Sequence, residues 1–361
     1  RLLLTHGTAT GRAEGEKLLL PGDVQVWQPW DTPWAVRRFL RQFRPSIGIL
    51  METEIWPNLV AACRRRRIPL VLANARLNEK SRAGARRLGW LSRPAYAGLS
   101  AVWAQTEDDA ARLRDVGAHV AGVFGNLKFD VVPSPALQAQ GRAWRAASAR
   151  PVVLLASSRE GEEAMWLEVL KQKTPLAPAS QAPAAIDSGV NQSVQWLVVP
   201  RHPQRFDEVQ RLCEAAGLRV SRRSQWTAQP DSADVWLGDS LGEMALYYGL
   251  AHVALLGGSF APLGGQNLIE AAAGGCPVVM GPHTFNFAEA ARLAIDAGAA
   301  LRVADMAEGV AAATALAQDP QRRRALSERC VAFTEEHRGA ALDTALAVLQ
   351  RLREAVDDRP D

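Results

Sequence analysis

Long hydrophobic runs are absent from this 361-residue sequence: nowhere do about 18 uncharged apolar residues follow one another, so no membrane-spanning helix is expected. Cysteine is scarce. Cys63, Cys213, Cys276 and Cys330 lie far apart with no C-x-x-C pair, which argues against a thiolate metal site or a disulfide framework. They read as buried reduced thiols, and therefore as a cytoplasmic chain. Six histidines show no i, i+4 spacing, so a zinc site is not expected. Nucleic-acid motifs and aromatic–basic interleaving are missing too, which removes nucleic acid from the expected partners. What is present, 48% hydrophobic and 22% charged residues, suits an ordinary globular chain long enough for two domains with a core each.

Short apolar runs alternate with helical patterns: Arg1–Thr5, Ile47–Met51, Leu70–Ala73, Ala101–Gln105 and Val120–Phe124, then Val152–Ala156, Trp196–Val199, Val235–Gly238, Val253–Leu256 and Val278–Gly281. Such alternation predicts βαβ units and parallel sheets. The expected organisation is a first domain over 1–135, a second over 150–330 and a C-terminal helical segment over 331–361. Residues 131–151 read as the connection between the two, and Lys173–Gln192 as a surface loop rich in Pro, Ala and Ser. Trp27, Trp30 and Trp34 could line an apolar edge, but are expected to pack in the first core.

Charge is uneven. Ala61–Ser100 holds ten basic residues and one acid, Glu79, so this stretch carries +9 and the rest −5. Two readings stand: solvated helix faces, or a surface for an anionic partner such as a phosphorylated lipid or an anionic membrane leaflet.

Glu52 and Glu54 follow the strand Ile47–Met51, and in open α/β sheets ligands sit beyond the carboxyl ends of strands. The plainer alternative is that both favour the positive end of the next helix. Gly257-Gly-Ser-Phe-Ala-Pro-Leu-Gly-Gly-Gln-Asn267 follows another strand and precedes a helical run at Leu268–Ala273. It is either a plain turn or a loop whose glycines let the backbone approach a ligand closely, with the N-terminus of the following helix presenting free N–H groups to an anion. Arg201, in Pro200-Arg-His-Pro203, could grip a phosphate or pair with a surface acid. Glu243 could be only a first-turn acid behind Asp239-Ser240 caps, and Lys128 a solvated lysine.

Met51-Glu-Thr-Glu-Ile-Trp-Pro-Asn58, Leu72-Ala-Asn-Ala-Arg-Leu77 and Gly125-Asn-Leu-Lys-Phe-Asp130 together resemble the 3-deoxy-D-manno-octulosonic acid (Kdo) transferases. So do Pro200-Arg-His-Pro203, Gly238-Asp-Ser-Leu-Gly-Glu243, Gly257-Gly-Ser259, Gly264-Gly-Gln-Asn267 and Gly281-Pro-His-Thr-Phe-Asn286, in the same order. The resemblance implies an α/β chain of GT-B type, two facing Rossmann-like domains with parallel sheets. It implies transfer of Kdo from its cytidine monophosphate ester (CMP-Kdo) to a phosphorylated lipid A precursor, lipid IVA, in lipopolysaccharide synthesis. The place would be the cytoplasmic face of the bacterial inner membrane. Glu52 and Lys128 resemble the family's transition-state stabilisers. Pro200, Arg201, Leu241, Gly242, Glu243, Gly258, Ser259, Asn267 and Glu270 resemble its donor-binding set, with Glu270 on the ribose hydroxyls. Arg159 and Gln266 stand where the family commonly has histidine. No D-x-D pair is present and the leaving group is a monophosphate, so no metal and no cofactor are expected; the resemblance implies an inverting displacement.

The family's catalytic base lies in a Ser-x-Gly-Glu loop near the front of the chain. Neither Glu14 nor Glu16 fits it, so the base is expected upstream of Arg1, together with an anchoring segment, and the chain as given is expected to turn over poorly. Two rivals remain: another nucleotide-sugar enzyme of the same fold, such as an epimerase, which would lack the Glu52 and Lys128 strings, and a non-catalytic nucleotide-binding remnant.

Overall fold

The computed structural model describes residues 1–173 and 193–357. It divides into two compact units, Arg1–Asp130 completed by the chain from His337 onward, and Val131–Glu336. Of the surface loop expected at Lys173–Gln192, Lys173 ends a helix and the remainder lies outside the described residues. Among the described residues no helix is long and apolar enough to cross a membrane.

In the first unit β1 (Leu3–His6) pairs with β2 (Val24–Trp27), while β3 (Gly48–Met51), β4 (Leu70–Ala75), β5 (Ala101–Ala104) and β6 (Val120–Val123) form a four-stranded sheet in that order. Every pairing is parallel. Side chains alternate across a strand, and here both sides are covered. Leu70, Leu72 and Ala75 enter a core with Val36, Leu40, Val60 and Tyr96; Val71 and Ala73 join Ala101 and Trp103 on the other face. That second face is closed by Ala347 and Val348 of the last helix, Ala340–Asp357. The C-terminal segment expected at 331–361 is thus split. The helix Pro320–Glu336 stays in the second unit, and the stretch after it completes the first. Asp130 fixes the crossover by accepting the N–H groups of Gly339 and Ala341 at 2.7 and 2.8 Å, with Phe129 stacked on His337.

The second unit carries β7 (Val152–Ser158), β8 (Gln195–Pro200), β9 (Val220–Arg222), β10 (Val235–Leu237), β11 (Val253–Leu256), β12 (Val278–Met280) and β13 (Ala300–Arg302). Their order is β13-β12-β11-β7-β8-β10-β9, all parallel. From β7 the chain builds outward on one side through β8 and then on the other through β11. The reversal falls between β7 and β11, the switch point where such sheets bind ligands.

Three strands were not anticipated, β2, β9 and β13, each of three or four residues with polar members. The connection expected at 131–151 is instead mostly a helix, Pro135–Ala147, packed so closely on the helix Met244–Leu250 that a Cβ on Gly141 would lie 2.2 Å from the Leu246 carbonyl oxygen. It belongs to the second unit. The tryptophan expectation is also corrected: Trp27, Trp30 and Trp34 are 54, 85 and 69% exposed. Arg12 and Arg38 stack over Trp27 and Trp34, so these rings carry cations rather than fill a core.

Candidate active site

At the carboxyl ends of the first unit's strands, three separate strings of sequence converge. Glu52 follows β3 directly, in the left-handed region at φ 56°, a conformation that costs a non-glycine residue free energy and clusters at functional positions. Its amide donates to the Ala73 carbonyl and its own carbonyl accepts from Arg76 N–H, so β4 holds the strained turn on both sides. The Glu52 carboxylate meets the Arg76 guanidinium at 2.9 Å and the Lys128 ammonium at 3.8 Å. Lys128 reaches it because Asn74, itself left-handed at φ 50°, accepts the Leu127 amide through its side chain, while Asn126 accepts that of Lys128. Glu52 and Lys128, paired from sequence, are therefore brought together, partly exposed and open to a ligand. Arg76 was not singled out as a site residue. Its presence in the Leu72–Leu77 string was the available signal.

Other residues of these strings turn out to be scaffold. Glu54 accepts the Trp56 indole N–H at 3.3 Å. The amide and side chain of Asn58 bind Asp31, anchoring the helix Pro57–Arg65 that begins behind the turn.

In the second unit the loops after β7 and β11 meet at the switch point. The glycine-rich loop does enclose an anion, but it is the chain's own. Glu162 is fully buried, and its Oε2 accepts the amides of Arg159 and Gly258 while its Oε1 accepts those of Phe260 and Ala261. The amides are spent internally, and the loop is a rigid platform rather than a vacant phosphate cradle. Close packing explains two of its glycines. A Cβ on Gly257 would lie 2.3 Å from the Ser157 carbonyl oxygen, and one on Gly264, at φ 91°, would lie 2.3 Å from the Asn286 side chain. Ser259 is likewise committed, its hydroxyl donating to the Leu256 carbonyl and accepting the Gly281 amide. Beside Glu162, Glu163 is fully buried and held bidentately by Arg205 at 2.8 and 3.0 Å.

Around this platform lie the other residues expected from sequence to bind the donor. Pro200 ends β8 buried, and Arg201 next to it is exposed, its guanidinium making no ion pair with another described residue. Leu241 is exposed and Gly242 adopts φ 77°. The helix begins at Met244, without the side-chain cap expected from Asp239-Ser240. Asp239 instead takes Arg222 at 2.7 Å and the Ser224 amide and hydroxyl, which hold its carboxyl below the usual range despite burial. Glu243 accepts from Ser240 and from Arg223 at 2.9 Å. Arg223 stacks against the edge-to-face pair Trp144 and Trp226, 5.3 and 5.8 Å from their ring centres. Nothing in the sequence marked Arg223 as Glu243's partner. Asn267 accepts the Ile269 amide, opening the short helix Ile269–Ala273. Glu270 in its first turn is half-buried, its carboxylate without an ion-pair or hydrogen-bond partner among the described residues, and burial raises its carboxyl above the usual value.

Comparison with known proteins supplies what the geometry alone does not. A family model described as 3-deoxy-D-manno-octulosonic-acid transferase (kdotransferase) matches residues 1–131. The 3-deoxy-D-manno-octulosonic acid transferase of Bordetella pertussis is 49% identical over 349 residues, 95% of this chain and 79% of that protein. Its namesake in Haemophilus influenzae is 33% identical over 94% of this chain and 77% of that protein. A glycosyltransferase from Rickettsia africae, only 11% identical, superposes with a TM-score of 0.58, covering 99% of this chain and 90% of that one, and so speaks to fold alone. The fold is of GT-B type, α/β with parallel sheets. With two relatives this similar over nearly the whole chain, the protein belongs to the Kdo transferase family of glycosyltransferases.

Proposed function

We propose that this chain transfers Kdo from CMP-Kdo to a glucosamine hydroxyl of the phosphorylated lipid A precursor, lipid IVA, at the cytoplasmic face of the inner membrane. The observation that carries the reading is the Glu52–Lys128 pair, assembled by strings 76 positions apart around a strained backbone turn. In the reaction the acceptor oxygen bonds to the anomeric carbon of Kdo as the bond to the phosphate oxygen breaks. Cytidine monophosphate departs with the electron pair, and the acceptor proton passes to a general base. A single displacement inverts the configuration. The carboxylate of Glu52 stabilises the positive charge that builds at the anomeric centre, and Lys128 the negative charge on the departing phosphate or the sugar carboxylate. A monophosphate leaving group carries less charge than a diphosphate, so the proposed route uses no metal and no cofactor.

For the donor, Arg201 supplies a guanidinium for phosphate, Glu270 a carboxylate for two ribose hydroxyls, both without ion pairs among the described residues, and Pro200, Leu241, Gly242, Glu243 and Asn267 the walls around the nucleotide. Gly258 and Ser259 contribute through the rigidity of their loop. Arg201→Ala should weaken cytidine monophosphate binding at least tenfold, and Glu243→Gln much less, because only the first removes a charge-assisted contact. Calorimetry decides it; equal affinities for both variants would remove Arg201 from the donor site.

For the acceptor side, a groove of about 580 Å³ runs between the helices Pro57–Arg65 and Gly89–Ala97. Trp90 and Leu91 line it, and Arg64 and Arg65 sit on its rim. Apolar walls under basic side chains suit a phosphorylated lipid at an anionic membrane. Arg76 belongs to the Glu52 cluster and Arg82 pairs with Glu79, so the residues to neutralise are Arg64, Arg65 and Arg67. At about 1 kcal/mol each, the triple glutamine variant should lose roughly hundredfold in affinity for anionic vesicles. High salt should erase the difference and cytidine monophosphate affinity should not move. Vesicle binding indifferent to both charge and salt would leave this stretch an ordinary solvated surface.

A further inference from the structure

At the opposite end of the second unit's sheet from the donor loops lies a cavity of about 240 Å³, against the residues that lead into β11 and β12. Its wall is cationic. Arg145 closes the helix Pro135–Ala147, Arg323 and Arg324 occupy the first turns of the helix Pro320–Glu336, and His252 stands between them. Glu328 is the one carboxylate among the lining residues.

None of the three arginines forms an ion pair with a described carboxylate. Arg145 donates to the Ala251 carbonyl at 3.0 Å and Arg323 to that of Ala317. Asp319 acts on Arg323 only through its charge, its carboxylate accepting the Arg322 amide. Burial holds both Arg145 and Arg323 below the usual guanidinium range. His252 accepts the Val152 amide through Nδ1 at 2.9 Å, which leaves its proton on Nε2, and burial lowers its pKa to about 4. A neutral imidazole donor and three unpaired guanidiniums around one cavity form an unsatisfied anion receptor.

We infer that this cavity is a second ligand site, taking a compact small-molecule anion with two or more negative charges, separate from the nucleotide site. Arg145 and Arg323 make the charge-assisted contacts, His252 donates a neutral hydrogen bond, and Arg324 adds charge from the rim. Glu328 opposes binding and keeps singly charged anions from filling the site.

Isothermal titration of the full chain, held at saturating cytidine monophosphate so that the donor site is occupied, tests this with inorganic pyrophosphate and with citrate as probes. Saturable one-to-one binding of either is expected, and the stronger of the two tells a phosphate ligand from a polycarboxylate. Arg145→Ala and Arg323→Ala should each weaken it at least tenfold. Glu328→Gln, on an exposed side chain that leaves the fold untouched, should tighten it severalfold. No saturable heat with either probe, or affinities unmoved by the arginine and Glu328 substitutions, would overturn the assignment. Because the nucleotide occupies its own site throughout, failure here is distinct from failure of the donor reading.

Discussion

Lys128→Ala should lower the rate of Kdo transfer by about 10²–10³-fold, the loss typical of removing one preorganised stabiliser of transition-state charge. Glu52→Gln should do the same without altering side-chain shape. The Glu52 change should appear in kcat, with KM nearly constant, since the positive charge it answers to develops only as the anomeric bond breaks. Stability should hardly move. The Glu52, Arg76 and Lys128 side chains are about a third to a half exposed, and ion pairs in that setting contribute about 0–1 kcal/mol. This combination, a large rate effect with an unaltered melting curve, separates chemistry from scaffold. Asp130→Ala is the contrasting case. It removes the carboxylate that accepts two amides at the start of the last helix, and should cost about 1–2 kcal/mol of stability. Transfer rates within a factor of two of the parent for both Lys128→Ala and Glu52→Gln would remove this pair from the mechanism.

The parallel architecture was legible because its central strands carry near-continuous apolar runs. β4 and β8 are buried at every position, and sheets covered on both faces select such sequences. β2, β9 and β13 were not, because Gln25, Ser221 and Arg302 interrupt runs already too short for a periodic signal. Glu52 could be read from its place after a strand and Lys128 from the string around it, so the half of the site that depends on strand ends was visible. What could not be read is who neutralises whom. Arg76 with Glu52, Arg223 with Glu243 and Glu162 with the loop after β11 are partnerships set by strand order, across 20 to 99 positions. A glycine-rich loop looks the same in sequence whether its amides await a phosphate or enclose a buried carboxylate. Exposure is equally hidden: Trp30 and Trp166 share one residue type, yet the first is 85% exposed and the second fully buried.

Glu162→Gln should be among the most damaging isosteric changes in the second unit, lowering its stability by about 2–5 kcal/mol. The carboxylate accepts two amides on each oxygen, and no described cation pairs with it. A glutamine keeps one oxygen and turns an NH₂ group toward the other two donors. Two buried N–H groups are then orphaned, at about 1–3 kcal/mol each. Glu162→Ala orphans all four and should be worse. The loop Gly258–Ala261 would have to open to water to recover partners, and Gly281, which donates to the Ser259 hydroxyl, would move with it. Cytidine monophosphate affinity should therefore fall although Glu162 touches no ligand, a positioning effect rather than a lost contact. Glu160→Gln serves as control. Its side chain is 55% exposed, its ion-pair partner is the adjacent Arg159, and it should behave as the parent. Urea denaturation followed through the buried Trp166 and Trp196 reads the difference. An unchanged midpoint for Glu162→Gln would mean that solvent reaches these amides and that the loop is not clamped from within. A lowered midpoint with unchanged nucleotide affinity would place the donor away from the loop after β11. The joint loss of both is the result that ties the architecture of the switch point to binding.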